Sequence, residues 1–278
     1  MSNAVEKYKA RGLRPKKLFG QNFLTDAHAI DGIASLATAS PAVSVLEIGP
    51  GLGALTERLL GRAQRVCAIE RDRDLVSILN ESLADPLQRG VFTLHEGDAL
   101  SFDWPEVAST MPGPVVLAGN LPYSITGALI EKATHAAHAF ARCVFMVQKE
   151  VADRLAADPG STTYGAASVF VQARFSVERA MIVRAGCFHP RPDVDSAVIV
   201  MTPLEPPRAV EDDAFREVVR RAFAQRRKTL RNAWKGIFGW PSDVLAERAS
   251  SAGIDLDLRG ETLAVEAFAA LAALAPSR

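Results

Sequence analysis

The sequence predicts an α/β fold in which a mostly parallel sheet with an antiparallel edge hairpin is followed by a small all-α domain. Three observations carry this reading. From about residue 43, short apolar runs alternate with helix-like segments. The strand-like runs at 181–184 and 196–201 stand too close together for a crossover helix. Beyond a proline-rich break, Thr202-Pro-Leu-Glu-Pro-Pro-Arg208, strand patterning stops.

Taken in order, the first strand is Val43–Ile48, which runs into Gly49-Pro-Gly51 and a helix from Ala54 to Leu60. Arg65–Glu70 is the second strand, with a helix from Asp74 to Leu83 behind it. Val91–His95, Val115–Ala118 and Cys143–Val147 continue the series, with helices between them covering both faces of the sheet. Met181–Arg184 and Ser196–Met201 form the hairpin. The domains are therefore expected at 1–204 and 208–278, and the second shows no strand pattern.

In 278 residues, 48% of them hydrophobic, there is enough apolar side chain for a sizeable core. No apolar run reaches 18 residues; Leu263–Ala275 is short, Ala-rich and interrupted by Glu266, the pattern of a packed helix. Met1–Arg11 is polar and charged, without the apolar stretch of a secretory signal. The expectation is a cytoplasmic protein without a membrane segment. Cys67, Cys143 and Cys187 are scattered and odd in number, which favours reduced thiols over a disulfide frame or a zinc site. His135 and His138 are spaced i, i+3 with no third ligand nearby, so a surface pair is expected and no metal site.

The formal charge is zero, from 32 basic and 32 acidic residues, but the average hides structure. Residues 1–20 carry six Lys/Arg against one acid, residues 216–235 carry eight against one, and the remainder is net −12. Two basic segments on an acidic chain suit a polyanion partner met at defined places, and equally suit two solvated helix faces. Within the second segment, Phe215, Val218, Val219, Ala222, Phe223, Leu230, Ala233, Trp234 and Ile237 recur at helical spacing. Arg216, Arg220, Arg227 and Arg231 form a second stripe on the same period, across one helix or two.

The chemistry gathers at strand ends, the rim where open α/β sheets bind ligands. Glu47-Ile-Gly-Pro-Gly-Leu-Gly53 follows a strand and opens a helix, and its glycines allow a sharp turn and close approach to a ligand. Gly49-x-Gly51-x-x-Ala54 also satisfies the loose dinucleotide fingerprint, so this turn alone leaves the cofactor open. Glu70 ends the second strand, where a carboxylate can take a ribose hydroxyl pair, and Asp98 follows the third, where it can accept from an adenine amine. Asn120-Leu121-Pro122-Tyr123 ends the fourth. An adenine N6 amine is a poor nucleophile because its lone pair is delocalised into the ring. Acceptance of its two N–H bonds by the Asn120 side-chain oxygen and the Leu121 carbonyl would favour a pyramidal nitrogen. Pro122 stiffens the turn and Tyr123 can stack on a base that has left its helix. The main task is alignment, so no catalytic His or Cys is expected.

Six segments then fall in a recognisable order: Lys17–Leu24, Glu47–Thr56, Asn120–Thr126, Gln148-Lys-Glu150, Phe188–Val198 and Gln225–Asn232. Over nearly its whole length the chain resembles the bacterial small-subunit (16S) ribosomal RNA adenine dimethyltransferases, the KsgA/RsmA family. The resemblance implies a Rossmann-like class I methyltransferase sheet, with S-adenosylmethionine as methyl donor. It implies cofactor contacts from Asn22, Leu24, Gly49, Gly51, Glu70, Asp98 and Asn120, and a Phe188 ring stacked opposite Tyr123 on the target adenine. The family methylates two adjacent adenines at N6 in a 3′-terminal hairpin of 16S rRNA, giving N6,N6-dimethyladenosines late in small-subunit assembly. The expected partner is therefore 16S rRNA in the immature small subunit, met by a monomer. In that company the basic run Arg226, Arg227, Lys228 and Arg231 reads as phosphate contacts, with Lys16 and Lys17 as a mobile basic lid. The sequence departs from the family at Asp193, where Lys is frequent, and at Tyr164-Gly-Ala166, where a basic residue is common. Two rival readings are the related large-subunit rRNA adenine methyltransferase of macrolide resistance and a non-catalytic RNA-binding assembly factor. The Phe188–Val198 segment and the Gln-Arg-Arg-Lys run favour the small-subunit enzyme, and the intact Asn120–Tyr123 motif speaks against an idle factor.

Overall fold

The computed structural model describes residues 3–16, 20–40, 42–225 and 227–276. Lys17 and Arg226, both expected to meet RNA, lie outside the described residues. The chain forms two compact units, Met1–Ala152 with Glu178–Pro203, and Asp153–Val177 with Leu204–Arg278.

The strands in chain order are β1 (Phe23–Leu24), β2 (Ser44–Ile48), β3 (Arg65–Glu70), β4 (Phe92–Glu96), β5 (Val115–Asn120), β6 (Arg142–Gln148), β7 (Phe175–Val183), β8 (Phe188–His189) and β9 (Ser196–Pro203). Seven of them form one sheet in the order β4-β3-β2-β5-β6-β9-β7, while β1 and β8 pair by themselves. β2 pairs in parallel with β3 and β5, and β3–β4 and β5–β6 are also parallel. β9 runs antiparallel to β6, with Phe145 opposite Ile199. Every residue of β2 is buried, as expected of a strand covered on both faces. The winding reverses between β2 and β5, the kind of switch point that opens a crevice at the carboxyl ends.

The antiparallel edge differs in detail from the expected hairpin. β7 is the edge strand and starts at Phe175, six residues before the apolar run suggested. Glu178 and Arg179 interrupt its pattern because much of an edge strand faces water, which hid its first half. The link from β7 to β9 is no tight turn; it carries β8, whose Phe188 and His189 pair with Leu24 and Phe23.

The second unit has its own core, in which Phe215, Val218, Trp234, Ile237 and Phe268 are almost wholly buried. Trp234 Nε1 donates to the Val218 carbonyl at 2.9 Å, so its polar atom is satisfied inside that core. Ala157, Tyr164, Val169 and Ala173 pack into the same cluster. Residues 153–177 therefore belong with the helical unit, a correction to a boundary at 204 that contiguity along the chain had suggested. The basic stripe is also divided. The helix Asp213–Ala224, capped by Asp212, ends before the run, and the next helix is Leu230–Ala233. Arg216 is held by Glu211 at 2.9 Å and Arg231 by Asp257 at 3.0 Å.

Candidate active site

The carboxyl ends of β2 to β5 open into one pocket, lined by Asn22, Leu24, Gly49, Gly51, Glu70, Asp98, Asn120, Leu121, Pro122 and Tyr123. The fold thus brings together residues as far apart in the chain as Asn22 and Tyr123. Each is delivered by a strand end or by the β1 segment.

The turn after β2 needs glycine on backbone grounds. Gly49 and Gly51 have φ of +67° and +61°, a region costly for other L-residues. The Gly51 N–H then points to Glu70 Oε2 at 3.1 Å. One further glycine, absent from the sequence reading, is required for a different reason. A Cβ on Gly119 would lie 2.4 Å from the Ile48 carbonyl oxygen, so only glycine lets β5 approach β2 just before Asn120. A glycine inside an apolar strand run was the available signal.

Glu70 is 7% exposed, and its carboxylate accepts from Gly51 N–H and, at 2.9 Å, from Asp72 N–H. A carboxylate has about four acceptor sites, so it can hold the glycine turn and still take a hydroxyl. Burial pushes its pKa up, while the Asp72, Gly51 and Arg71 backbone bonds pull the other way. Behind it, Glu47 is 1% exposed and accepts from Thr56 Oγ1 at 2.7 Å. Burial, opposed by that Thr56 bond and reinforced by the Glu70 charge, pushes Glu47 up to about 8. Glu47 was visible in the sequence only as the start of the glycine motif; its ionisation state follows from burial. Asp98 caps its turn through Leu100 N–H at 3.0 Å and lies 3.2 Å from Arg71 Nη1.

At the end of β5, Asn120 Nδ2 donates to the Asn22 carbonyl at 3.0 Å. That leaves Asn120 Oδ1 as an acceptor in the pocket. Leu121 donates its N–H to Met146, and the Pro122 carbonyl accepts from Ile125 N–H and Thr126 Oγ1, which locks the turn. The Tyr123 hydroxyl is 2.7 Å from Ser196 Oγ, anchoring the ring edge to the start of β9. The described residues that line the pocket include neither His nor Cys. Cys67 and Cys143 are buried in the sheet, and burial raises both thiols, Cys67 to about 11.

Two residues stand elsewhere than anticipated. Phe188 is 5% exposed, packs in the main core with Leu24, and is not among the pocket-lining residues. Its place on β8 sets it there, and stacking on a base would require that packing to open. Lys16 is no free cation: Nζ donates to Asp72 Oδ1 at 2.6 Å and Asp74 Oδ2 at 2.7 Å. These two carboxylates raise its pKa and cancel its charge locally. Arg227, Lys228 and Arg231 are exposed on the second unit.

The site residues suit S-adenosylmethionine. The glycine turn leaves open space where a Cβ of Gly49 would stand, Glu70 retains acceptor capacity for ribose hydroxyls, and Asp98 can accept from an adenine amine. Asn120 lines the same pocket.

The chain matches the family described as ribosomal RNA adenine dimethylase over residues 12–273. It is 47% identical to the ribosomal RNA small subunit methyltransferase A of Syntrophotalea carbinolica, over 94% of this chain and 97% of that protein. The Geobacter sulfurreducens protein of the same name is 44% identical, over 94% and 95%. Among solved structures, a dimethyladenosine transferase from Plasmodium falciparum superposes with a TM-score of 0.77 at 25% identity, covering 90% of this chain and 95% of that one. The 23S rRNA methyltransferase ErmE superposes with a TM-score of 0.70 at 25% identity, covering 91% and 98%.

Proposed function

The chain belongs to the ribosomal RNA adenine dimethylase family, and from that premise we propose that it transfers methyl groups from S-adenosylmethionine to N6 of two adjacent adenines in a 3′-terminal hairpin of 16S rRNA. As a member of the family it is an S-adenosylmethionine-dependent rRNA adenine dimethyltransferase. The observation that carries the finer reading is that the Asn120–Tyr123 turn and the Gly49–Gly51 turn line one pocket. The bound cofactor supplies a methyl group already activated on a sulfonium, so the site requires no Lewis acid. Glu70 and Asp98 bind its ribose and adenine, and Asn22, Leu24, Gly49 and Gly51 shape the wall around it. Asn120 Oδ1 and the Leu121 carbonyl would accept the N–H bonds that the target amine presents, two in the first transfer and one in the second, and so orient its lone pair for transfer. Tyr123, fixed by Ser196, stacks on the flipped base. Leu24, Leu121 and Leu129 give the pocket an apolar wall.

Relatives named for the small subunit are 42–47% identical, against 25% for the 23S enzyme, which supports 16S rRNA in the immature small subunit as substrate. The exposed cations Arg227, Lys228 and Arg231, with Arg226 beside them, contact its phosphates. The protein acts in the cytoplasm, where ribosomal subunits assemble, and as a monomer. No helix among the described residues is long and apolar enough to cross a membrane. The test is transfer of labelled methyl from S-adenosylmethionine to immature small subunits, with the modified bases mapped. Label on 23S rRNA would move the assignment to the large subunit; no label on any rRNA would overturn it.

A further inference from the structure

A chain of hydrogen bonds runs from the turn after β3 to the side chain of Asn120. At its root is Asp72, 1% exposed. Gln21 Nε2 donates to Asp72 Oδ2 at 2.7 Å, and Gln21 Oε1 accepts from Lys16 N–H at 2.7 Å. Lys16 Nζ donates to Asp72 Oδ1 as well. The residue after Gln21 is Asn22, whose carbonyl accepts from Asn120 Nδ2 at 3.0 Å. Asn22 Nδ2 in turn donates to the Gly20 carbonyl at 3.2 Å, which closes this short stretch on itself.

The two branches of an asparagine amide have nearly the same shape, so the partner on each branch decides which way it faces. A main-chain carbonyl can only accept. The Asn22 carbonyl therefore selects the nitrogen branch of Asn120 and leaves Oδ1 to the pocket. If the carbonyl moved away, the amide could turn over and present N–H groups to an amine that also needs acceptors.

We propose that Gln21 and Asp72 are positioning residues for methyl transfer, holding the Asn22 carbonyl where it keeps Asn120 Oδ1 turned to the target amine. This rests on the reading of Asn120 as an acceptor for that amine. The network also reaches the cofactor side, because Asp72 N–H donates to Glu70 Oε1 at 2.9 Å. One buried residue, through its main-chain N–H on one side and its carboxylate on the other, thus links the acid assigned to the ribose with the segment that holds the Asn120 amide. Charge-assisted bonds to Lys16, together with the bond from Gln21, make that link stiffer than a neutral turn would be.

The test separates rate from binding. Gln21→Met keeps length and removes both polar contacts at a half-buried position; Asp72→Asn keeps an acceptor for the Asp74 N–H it caps. Single-turnover transfer at saturating S-adenosylmethionine should fall roughly ten- to a hundred-fold in Gln21→Met, the scale of a small misplacement of a reacting group. The cofactor Kd should change by less than the rate does. Arg11→Gln, which removes an exposed pair with Glu81 from the neighbouring N-terminal stretch, should leave both unchanged. A wild-type rate at saturating cofactor, or a loss confined to Kd, would overturn the proposal. If Asp72→Asn does not fold, Gln21→Met alone decides. Asn120→Ala in the same assay distinguishes the two failures. A normal rate there defeats the reading of Asn120 itself, whereas a lost rate there beside a normal Gln21→Met defeats only the positioning role.

Discussion

At the rim of the sheet, Glu70 of the first unit is buried and held by main-chain N–H groups, whereas Arg231 of the second unit lies exposed and is answered by a single carboxylate. Glu70 is 7% exposed and takes two backbone N–H groups; Arg231 and Asp257 meet with side chains 54% and 71% exposed. The physics of the two differs accordingly. A buried carboxylate that loses its donors pays desolvation that nothing screens. An exposed pair contributes roughly 0–1 kcal/mol, weakens with salt and can exchange its partner for a phosphate. The first arrangement suits a small ligand bound in one pose. The second suits a polyanion met through several weak, replaceable contacts. Lys16 teaches the same lesson from within a basic segment: it counts as a cation in the sequence and as a strap in the structure.

The comparison can be broken most sharply at Asn120. Asn120→Ala should slow transfer roughly a hundred- to a thousand-fold, as for removal of one aligned polar group at a reacting centre, with RNA affinity nearly intact. Near-normal single-turnover rates would show that the buried rim is not where the chemistry is aligned.

The buried acids can be probed by pH. The Glu47 pKa is raised from 4.5 to about 8, so the native state holds a proton that the unfolded chain releases. Stability from this group is present at low pH and is lost as pH rises from 4.5 toward 8. Glu47→Gln, which can still accept from Thr56, should remove most of that decline. Relative to wild type, the variant should gain on the order of a few kcal/mol across the window. Parallel melting curves over pH would test it, and identical slopes would show that Glu47 ionises freely.

In the basic run of the second domain, Arg226, Arg227, Lys228 and Arg231 replaced together by Gln should weaken RNA binding and spare the cofactor. Four phosphate contacts imply a fall of about three units in the slope of log K against log salt, or roughly sixtyfold in affinity between 50 and 200 mM. If Asp257 keeps Arg231 from the RNA, the fall should be about two. A slope that does not move would make this run a solvated surface only.

Glu70→Ala returns to the rim with a comparable or smaller effect. Loss of a charged acceptor should weaken S-adenosylmethionine binding roughly ten- to a hundred-fold by calorimetry. Because Glu70 also holds the Gly51 N–H, part of that loss should come from a looser glycine turn. Unchanged affinity in a folded variant would take Glu70 out of the site.

Much of this molecule is local and therefore legible in its amino acids. Apolar runs of strand length, the positive-φ glycines after β2 and the proline-rich break each depend on neighbours a few residues away, so the sheet, the nucleotide-like turn and a helical second domain could be read directly. The same holds for Asn120–Tyr123, whose position at a strand end follows from the run before it. What tertiary structure alone decided depends on partners distant in the chain. Lys16 meets Asp72 across 56 positions, and Asn22 meets Asn120 across 98. Gly119 is required by Ile48, Phe188 is covered because β8 pairs with β1, and residues 153–177 join the helical unit through Tyr164 and Val169. Glu47 holds its proton for the same reason: composition reports a carboxyl group, but only folding removes the water that would ionise it.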